Sequence, residues 1–480
     1  MNSTYDWCSI DSALLTKNDN NMFSKIASST KISLVLSTTI LISNSLLAAD
    51  GPWTLSDALG LDDGFSLSGE HQSRFEHYDG NVFAGTSPND GAFFYRTTLD
   101  AQYKRDGFSA QVEMMDSRQG QADRDTRLST SHVSALDLLQ ANVAYTFGNA
   151  NSSEVRVGRF TQDWGSRTLI ARNRYRNTIN TLDGFSFSHK QENGNEFKFL
   201  SAQPVERTPR DRLSLLDNDH RGDKSSEALR IHGVFANLPN LLPSLLNIDL
   251  DLETYYVALK EKDTRKLQTS NRELHTFGFR ARSSAAVNEW DINWESIFQT
   301  GKRRASSNPL DTVDLDHQAF YQRIELAYSF DTPSKLRAIF EFNYASGDES
   351  PLDSDSGRFD TILGVSAFEF GPVSLYAPIS RSNIITPGIR LTATPWKNIA
   401  LMADYRHFWL AEDKDSWGRT GQRDVTGRSG NYMGQHLELR VRWSVVPGNI
   451  RLDSGLIFLD SKDLIDEQST FFYMGTNIDF

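Results

Sequence analysis

Gly434-Gln435-His436-Leu437-Glu438-Leu439-Arg440-Val441-Arg442-Trp443-Ser444-Val445 alternates without a break. Leu437, Leu439, Val441, Trp443 and Val445 share one face; His436, Glu438, Arg440 and Arg442 share the other. Helical segments repeat their apolar residues every third or fourth position, whereas period two belongs to a strand with one greasy and one charged face. Working outward, the same parity recurs. Phe93, Tyr95, Thr97, Leu99, Ala101 and Tyr103 oppose Arg96, Asp100 and Gln102, and Trp290, Ile292, Trp294 and Phe298 oppose Asp291, Asn293 and Glu295.

Eighteen such stretches follow from residue 64: 64–78, 91–104, 108–116, 137–147, 154–160, 182–189, 195–202, 227–236, 248–259, 273–283, 289–299, 319–330, 335–345, 383–394, 398–409, 434–445, 450–459 and 470–480. Connections after even-numbered strands are short, and those after odd-numbered strands are long, up to 346–382. Short turns on one side and long loops on the other predict an all-β, transmembrane antiparallel β-barrel of about 18 strands in the bacterial outer membrane. A soluble sandwich has no reason to sort its loops by length. The low hydrophobic content of 38% fits, because a barrel hides its apolar residues at alternate positions. Charges with lipid-facing parity are Asp116, Asp137, Arg159, Asp183, Glu227 and Glu273, all near the long-loop end.

Met22–Ala49 reads as a secretory signal: Lys25 and Lys31 precede the apolar Ile32–Leu47, and Leu47-Ala48-Ala49 offers a cleavage site. The expected organisation is therefore an N-terminal extension and signal over 1–49, with translation starting at Met22, a periplasmic lead-in over 50–62 and the barrel over 63–480. A single cysteine, Cys8, excludes a disulfide framework and a Cys-rich zinc site. The last strand ends on Phe480, and a terminal aromatic of this kind resembles the recognition signal of the outer-membrane assembly machinery.

Arginine outnumbers lysine 35 to 15. Arg74, Arg96, Arg156, Arg230, Arg280, Arg282, Arg323, Arg337, Arg390, Arg406, Arg440, Arg442 and Arg451 have inward parity and are candidate pore-lining residues. The inward face also carries carboxylates, among them Glu113, Asp251, Glu253, Glu295, Glu325, Glu341 and Glu438, as candidate ion-pair partners. Each inward arginine therefore either pairs within the wall or meets a passing anion. The bias comes from one loop, where Arg159, Arg167, Arg172, Arg174 and Arg176 face only Asp163. Folded inward, it makes a cationic constriction; outside, it is a basic patch near lipopolysaccharide.

Val157-Gly158-Arg159, Gly165-Ser166-Arg167, Arg174-Tyr175-Arg176 and Leu182-Asp183-Gly184 together resemble the alginate-export family of outer-membrane barrels. Tyr344-Ala345-Ser346-Gly347-Asp348 with Phe359-Asp360, and Gly434 to Leu439, are similar to later motifs of that family. The resemblance implies an arginine-rich porin through which an anionic polysaccharide leaves the cell, with Arg159, Arg167, Arg174 and Arg176 as its selectivity residues. After Arg167, Thr168-Leu169-Ile170-Ala171 departs from the family pattern.

No phosphate loop, H-E-x-x-H site or nucleophile elbow is present, so neither enzymatic activity nor a cofactor or metal is expected. His232, His275, His317, His407 and His436 are scattered. Trp290, Trp294, Trp396, Trp409 and Trp443 suit interfacial belts, and Trp417 is the better candidate for sugar stacking. The expected function is a passive channel for an alginate-like polysaccharide or its oligomers, served by a periplasmic export partner. An uptake porin for small organic anions and a non-conducting or enzymatic barrel are the alternatives.

Overall fold

The computed structural model describes residues 52–480 except Asn81, Ala84, Asn240, 247–248, Lys266, Phe368 and Val373. The signal segment and Met22 lie outside the described residues. Of the lead-in, Leu55–Leu59 forms a short helix, α1, whose first turn is capped by the Thr54 side chain.

Eighteen long strands follow. They are β1 (Phe65–Asp79), β2 (Asn89–Arg105), β3 (Phe108–Gly120), β4 (Ser134–Phe147), β5 (Ser152–Phe160) and β6 (Leu182–Lys190). The middle set is β7 (Glu196–Glu206), β8 (Leu229–Leu238), β9 (Asp251–Glu261), β10 (Glu273–Arg282), β11 (Trp290–Arg303) and β12 (Leu315–Ser329). The set closes with β13 (Arg337–Ala345), β14 (Ile384–Trp396), β15 (Ile399–Trp409), β16 (Tyr432–Val446), β17 (Ile450–Ser461) and β18 (Gln468–Asp479). Each pairs antiparallel with its neighbours in sequence, and β1 pairs with β18 from Glu70↔Asp479 to Asp79↔Thr470, closing the cylinder. Closure leaves no unpaired strand edge, the condition for sheet backbone to sit in lipid. Phe480 seals the seam: its N–H donates to the Gly69 carbonyl, and the Gly69 N–H donates to its carbonyl.

Both expected faces are present. Leu439, Val441 and Trp443 are exposed on the outer wall while His436 and Glu438 are buried. Aromatic residues ring the short-turn end (Phe65 on Tyr103, Tyr145 on Phe147, Trp290 on Tyr328). A second ring lies toward the long loops (Phe75 on Phe93, Tyr256 on His275, Trp409 on His407 and Tyr432). These are the two girdles of a membrane barrel.

Two parity readings fail for local reasons. A register shift between Glu113↔Gln140 and Met114↔Leu138 places Asp137 opposite the buried Met115 instead of on the lipid face. On β8 the buried set is Ile231, Gly233 and Phe235, so Arg230 and His232 face outward. Trp164 covers that inner face, its ring tilted against Phe235 with centroids 5.9 Å apart, and it approaches Gly233 so closely that a Cβ there would lie 2.7 Å from the indole. Apolar residues on this strand meet an inserted loop, not lipid.

That loop, 161–181, lies inside the barrel. Asn177 Nδ2 donates to the carbonyls of Tyr95, Arg118 and His132, and Ser117 Oγ donates to the Asn177 carbonyl. On the opposite wall, Glu295 accepts from Ser166 Oγ (2.5 Å) and Thr168 Oγ1 (2.7 Å). Gly165 turns at φ 47° where a Cβ would lie 2.6 Å from Glu253 Oε2, so the left-handed backbone and the close approach both require glycine. The 346–383 loop enters as well. Its Glu369 carboxylate takes Arg323 (2.9 Å) from the wall and Arg381 (2.8 Å) from its own loop, and Arg381 Nη1 donates to the Thr168 carbonyl.

Two outcomes follow. Leu439→Arg places a guanidinium in the outer wall near mid-depth and will lower stability by about 2–4 kcal/mol in urea titrations of vesicle-inserted protein. Asn177→Ala removes the side-chain amide that bonds the Tyr95, Arg118 and His132 carbonyls and will raise single-channel conductance and its fluctuation, read in planar bilayers.

Candidate pore and its arginines

Most wall arginines are already paired. Arg74 donates to Glu76 (2.5 Å), Arg280 to Glu253 (3.2 Å), Arg337 to Asp291 (2.5 Å) and Arg440 to Asp453 (2.5 Å). Arg390 bridges Glu341 (2.9 Å) and Asp404 (2.6 Å), Arg406 pairs with the same two carboxylates, and Arg323 holds Glu325. Arg282 lies 3.5 Å from Asp251, and Arg156 lies 2.9 Å from Glu154. Of the expected acidic partners, three pair with no arginine among the described residues. Glu113 accepts from Gln140 and Glu295 anchors the inserted loop, while Glu438 has no ion pair.

The inserted loop changes this balance. Arg96, buried in the wall, donates to Glu70 (2.5 Å) and to the carbonyls of Arg174 (3.0 Å) and Arg176 (2.7 Å). Arg74 Nη1 donates to the Tyr175 carbonyl at 2.7 Å. The loop backbone is thus held by wall guanidinium groups, while three of its own arginines, Arg167, Arg172 and Arg174, line the space between loop and wall. Arg174 reaches Glu70, and Arg167 lies 3.4 Å from Asp163. Arg172 has no ion pair among the described residues.

A cavity of about 380 Å³ separates this loop from the β1–β2 and β16–β18 wall. Eight arginines line it (Arg74, Arg96, Arg167, Arg172, Arg174, Arg440, Arg442 and Arg451) against four carboxylates (Glu70, Asp163, Asp453 and Asp479). A second cavity, about 780 Å³, opens at the short-turn end beside Lys104, Arg105, Arg156 and Lys198. Arg172 lines both and stands between them. On the long-loop side, burial and the neighbouring Arg207 depress the pKa of Arg176. Arg419 keeps solvent access but is enclosed by protein on most sides. That enclosure, with Arg176, Arg127 and Arg381 nearby, lowers its pKa to about 9. In both, enclosure by protein is the larger cause and the nearby guanidinium groups the smaller one.

Three expectations are corrected. Arg159 does not line the pore: it shares the outer parity of Val157, and its guanidinium chelates Asp183 at 2.8 and 2.9 Å. Arg230 likewise faces outward. Trp417 is fully buried, its backbone bonded to Gln422, so it offers no sugar platform. Sequence reasoning counted Arg172 in the loop's charge without assigning it a role, and missed Arg419, Glu369 and Arg381. Only Arg172 had a signal, its place in the Arg-rich loop; the others became visible through packing between distant loops.

The fold has solved relatives. The crystal structure of Pseudomonas aeruginosa OccD3 (OpdP) is similar with a TM-score of 0.54 and 12% identity, covering 88% of this chain and 92% of that one. P. aeruginosa OccK2 (OpdF), crystallised in complex with glucuronate, gives 0.54 and 12%, covering 87% and 96%. The P. aeruginosa outer membrane protein OpdK gives 0.53 and 10%, covering 86% and 99%. No curated protein sequence matches the chain. The family model described as alginate export matches residues 64–456, which takes in nearly the whole closed barrel and both inserted loops. With that match over such a cylinder, the chain belongs to the alginate export family and is an outer-membrane channel barrel.

Proposed function

We propose that this channel is a passive route for an acidic polysaccharide of the alginate kind, or its oligomers, past the arginines of the 161–181 loop. The observation that carries the reading is the excess of arginine over carboxylate around the 380 Å³ cavity. Carboxylates spaced along a polyuronate would exchange hydration for guanidinium hydrogen bonds at Arg172, Arg174 and Arg451. The wall pairs work in the same direction. Conduction needs sites that are entered and easily left, and arginines already committed to Glu76, Asp453 or Glu253 bind a passing anion weakly. Arg419 and Arg176 would gather the polymer at one mouth, and Lys104, Arg105 and Lys198 at the other. The activity is conduction alone, without a chemical step.

A second reading, uptake of small organic anions, is favoured by the size of the cavity, which falls within the roughly 300–1,000 Å³ typical of small-molecule sites. The glucuronate held by OccK2 is an anion of that class. A periplasmic export partner and delivery of the chain to the assembly machinery through Phe480 belong to the first reading. The stacking of Phe480 on Trp53, with centroids 6.5 Å apart, supports an ordered terminus there.

Planar-bilayer reversal potentials under a salt gradient are expected to show anion preference, and Arg172→Ala/Arg174→Ala/Arg451→Ala is expected to reduce it several-fold. Cation preference in the parent protein refutes both readings. Oligomers of mannuronate and guluronate are expected to block the current where neutral maltodextrins do not. Block by monomeric uronates alone selects the second reading.

A further inference from the structure

The outer wall carries a charged row that conduction does not use. On β5–β7, Arg159 is in register with Asp183, and Asp183 with Gln203. On β8–β12, Arg230 faces Lys260, Lys260 faces Glu273, Glu273 faces Lys302, and Lys302 faces Asp316. Gln203 lies one residue beyond the Ala202↔Ile231 pair, so it adjoins Arg230 and joins the two halves.

Most of the row neutralises itself. Arg159 is held by Asp183, Lys260 leans to Glu273 at 3.2 Å, and Lys302 lies 3.7 Å from Asp316. Arg230 is the exception. It is exposed, has no hydrogen-bond or ion-pair partner among the described residues, and stands directly opposite another cation. Like charges facing each other across strands are destabilising, so this position calls for an anion. Its level is that of headgroups: Lys260 and Glu273 lie two residues beyond Ala258 and His275, and His275 shares a 2.6 Å hydrogen bond with Tyr256 in the girdle.

Beside Arg230 the lipid-facing wall is hollow. A shallow groove of about 610 Å³ runs over Ala141, Val157, Gly184, Phe185 and Ser201, with the self-neutralised Arg159–Asp183 pair and Gln203 also lining it. Small outward residues set between larger apolar ones leave room for an acyl chain. We infer that this face binds a phosphorylated acyl glycolipid of the outer leaflet, its phosphate between Arg230 and Lys260 and one chain in the groove. A phosphate monoester brings close to two negative charges and oxygens that match the guanidinium fork.

The test is native mass spectrometry of delipidated full-length protein offered bisphosphorylated lipid A, the same lipid dephosphorylated, or inorganic phosphate. Retention of the phosphorylated lipid is expected, weakened roughly tenfold by Arg230→Ala/Lys260→Ala, by Val157→Trp in the groove, and by loss of the phosphates. Heat-modifiable gel mobility verifies that each variant is folded. Equal retention by the Arg230→Ala/Lys260→Ala variant, equal binding of the dephosphorylated lipid, or displacement by inorganic phosphate overturns the site. Anion selectivity is expected to be unchanged in these variants, so failure here and failure of the conduction reading are separate results.

Discussion

A wall guanidinium bonded to loop backbone is the interaction on which the pore depends. Arg96 is buried, charged, and satisfied by Glu70 together with two carbonyls of the 161–181 loop. A buried arginine stripped of these acceptors would be costly, so loop and wall are mutually required. The geometry also decides who holds whom. Wall cations are consumed by loop carbonyls and wall acids, which leaves the loop's own cations, the half-buried Arg172 and the exposed Arg174 among them, lining the cavity between loop and wall.

The second loop is tied in through a different chemistry. Glu369 sits between Arg323 of the wall and Arg381 of its own segment, and Arg381 continues to the Thr168 carbonyl of the first loop. Arg272 extends the scheme from Glu261 to Asp360 at 2.8 Å each. Burial pushes the Asp360 carboxyl up, but Arg272 and Arg303 outweigh it and hold its pKa below the usual range. A depressed carboxylate contributes stability above its unfolded pKa, lost only as pH falls through the folded value, so this tether persists in mild acid. Buried pairs of this kind do little for net stability against an apolar core, but they fix one arrangement of otherwise irregular chain.

The barrel was legible because lipid imposes a strict period of two: all eighteen stretches became strands, and Leu439 and Glu438 fell on the faces their parity assigned. The same rule misled wherever lipid was not the neighbour. Ile231 and Phe235 are buried on the inner face, where Trp164 packs on Phe235, and reading them as lipid-facing turned Arg230 inward. Asp137 escaped through a bulge, which no alternation pattern announces. Arg159 carried outward parity in the sequence itself; the family resemblance drew it into the pore, and its chelation by Asp183 returns it to the outer wall.

The site was less legible than the fold because charge in a lumen has two uses with one signature. Arg440 and Arg172 are both arginines in lumen-facing positions, yet one is held by Asp453 at 2.5 Å and the other has no carboxylate partner among the described residues. Composition sees a near balance along the strands, and that balance is real: the strands largely neutralise themselves. On the proposed reading, anion preference then rests chiefly on residues of irregular chain, joined by a few wall residues such as Arg451, and the loop positions depend on contacts hundreds of residues apart, such as Arg74 with Ser374 or Glu76 with the Leu375 N–H. A rigid, self-neutral cylinder with a few uncompensated cations hung inside it can alter its solute preference by changing loop residues alone, leaving untouched the alternation that keeps it in the membrane.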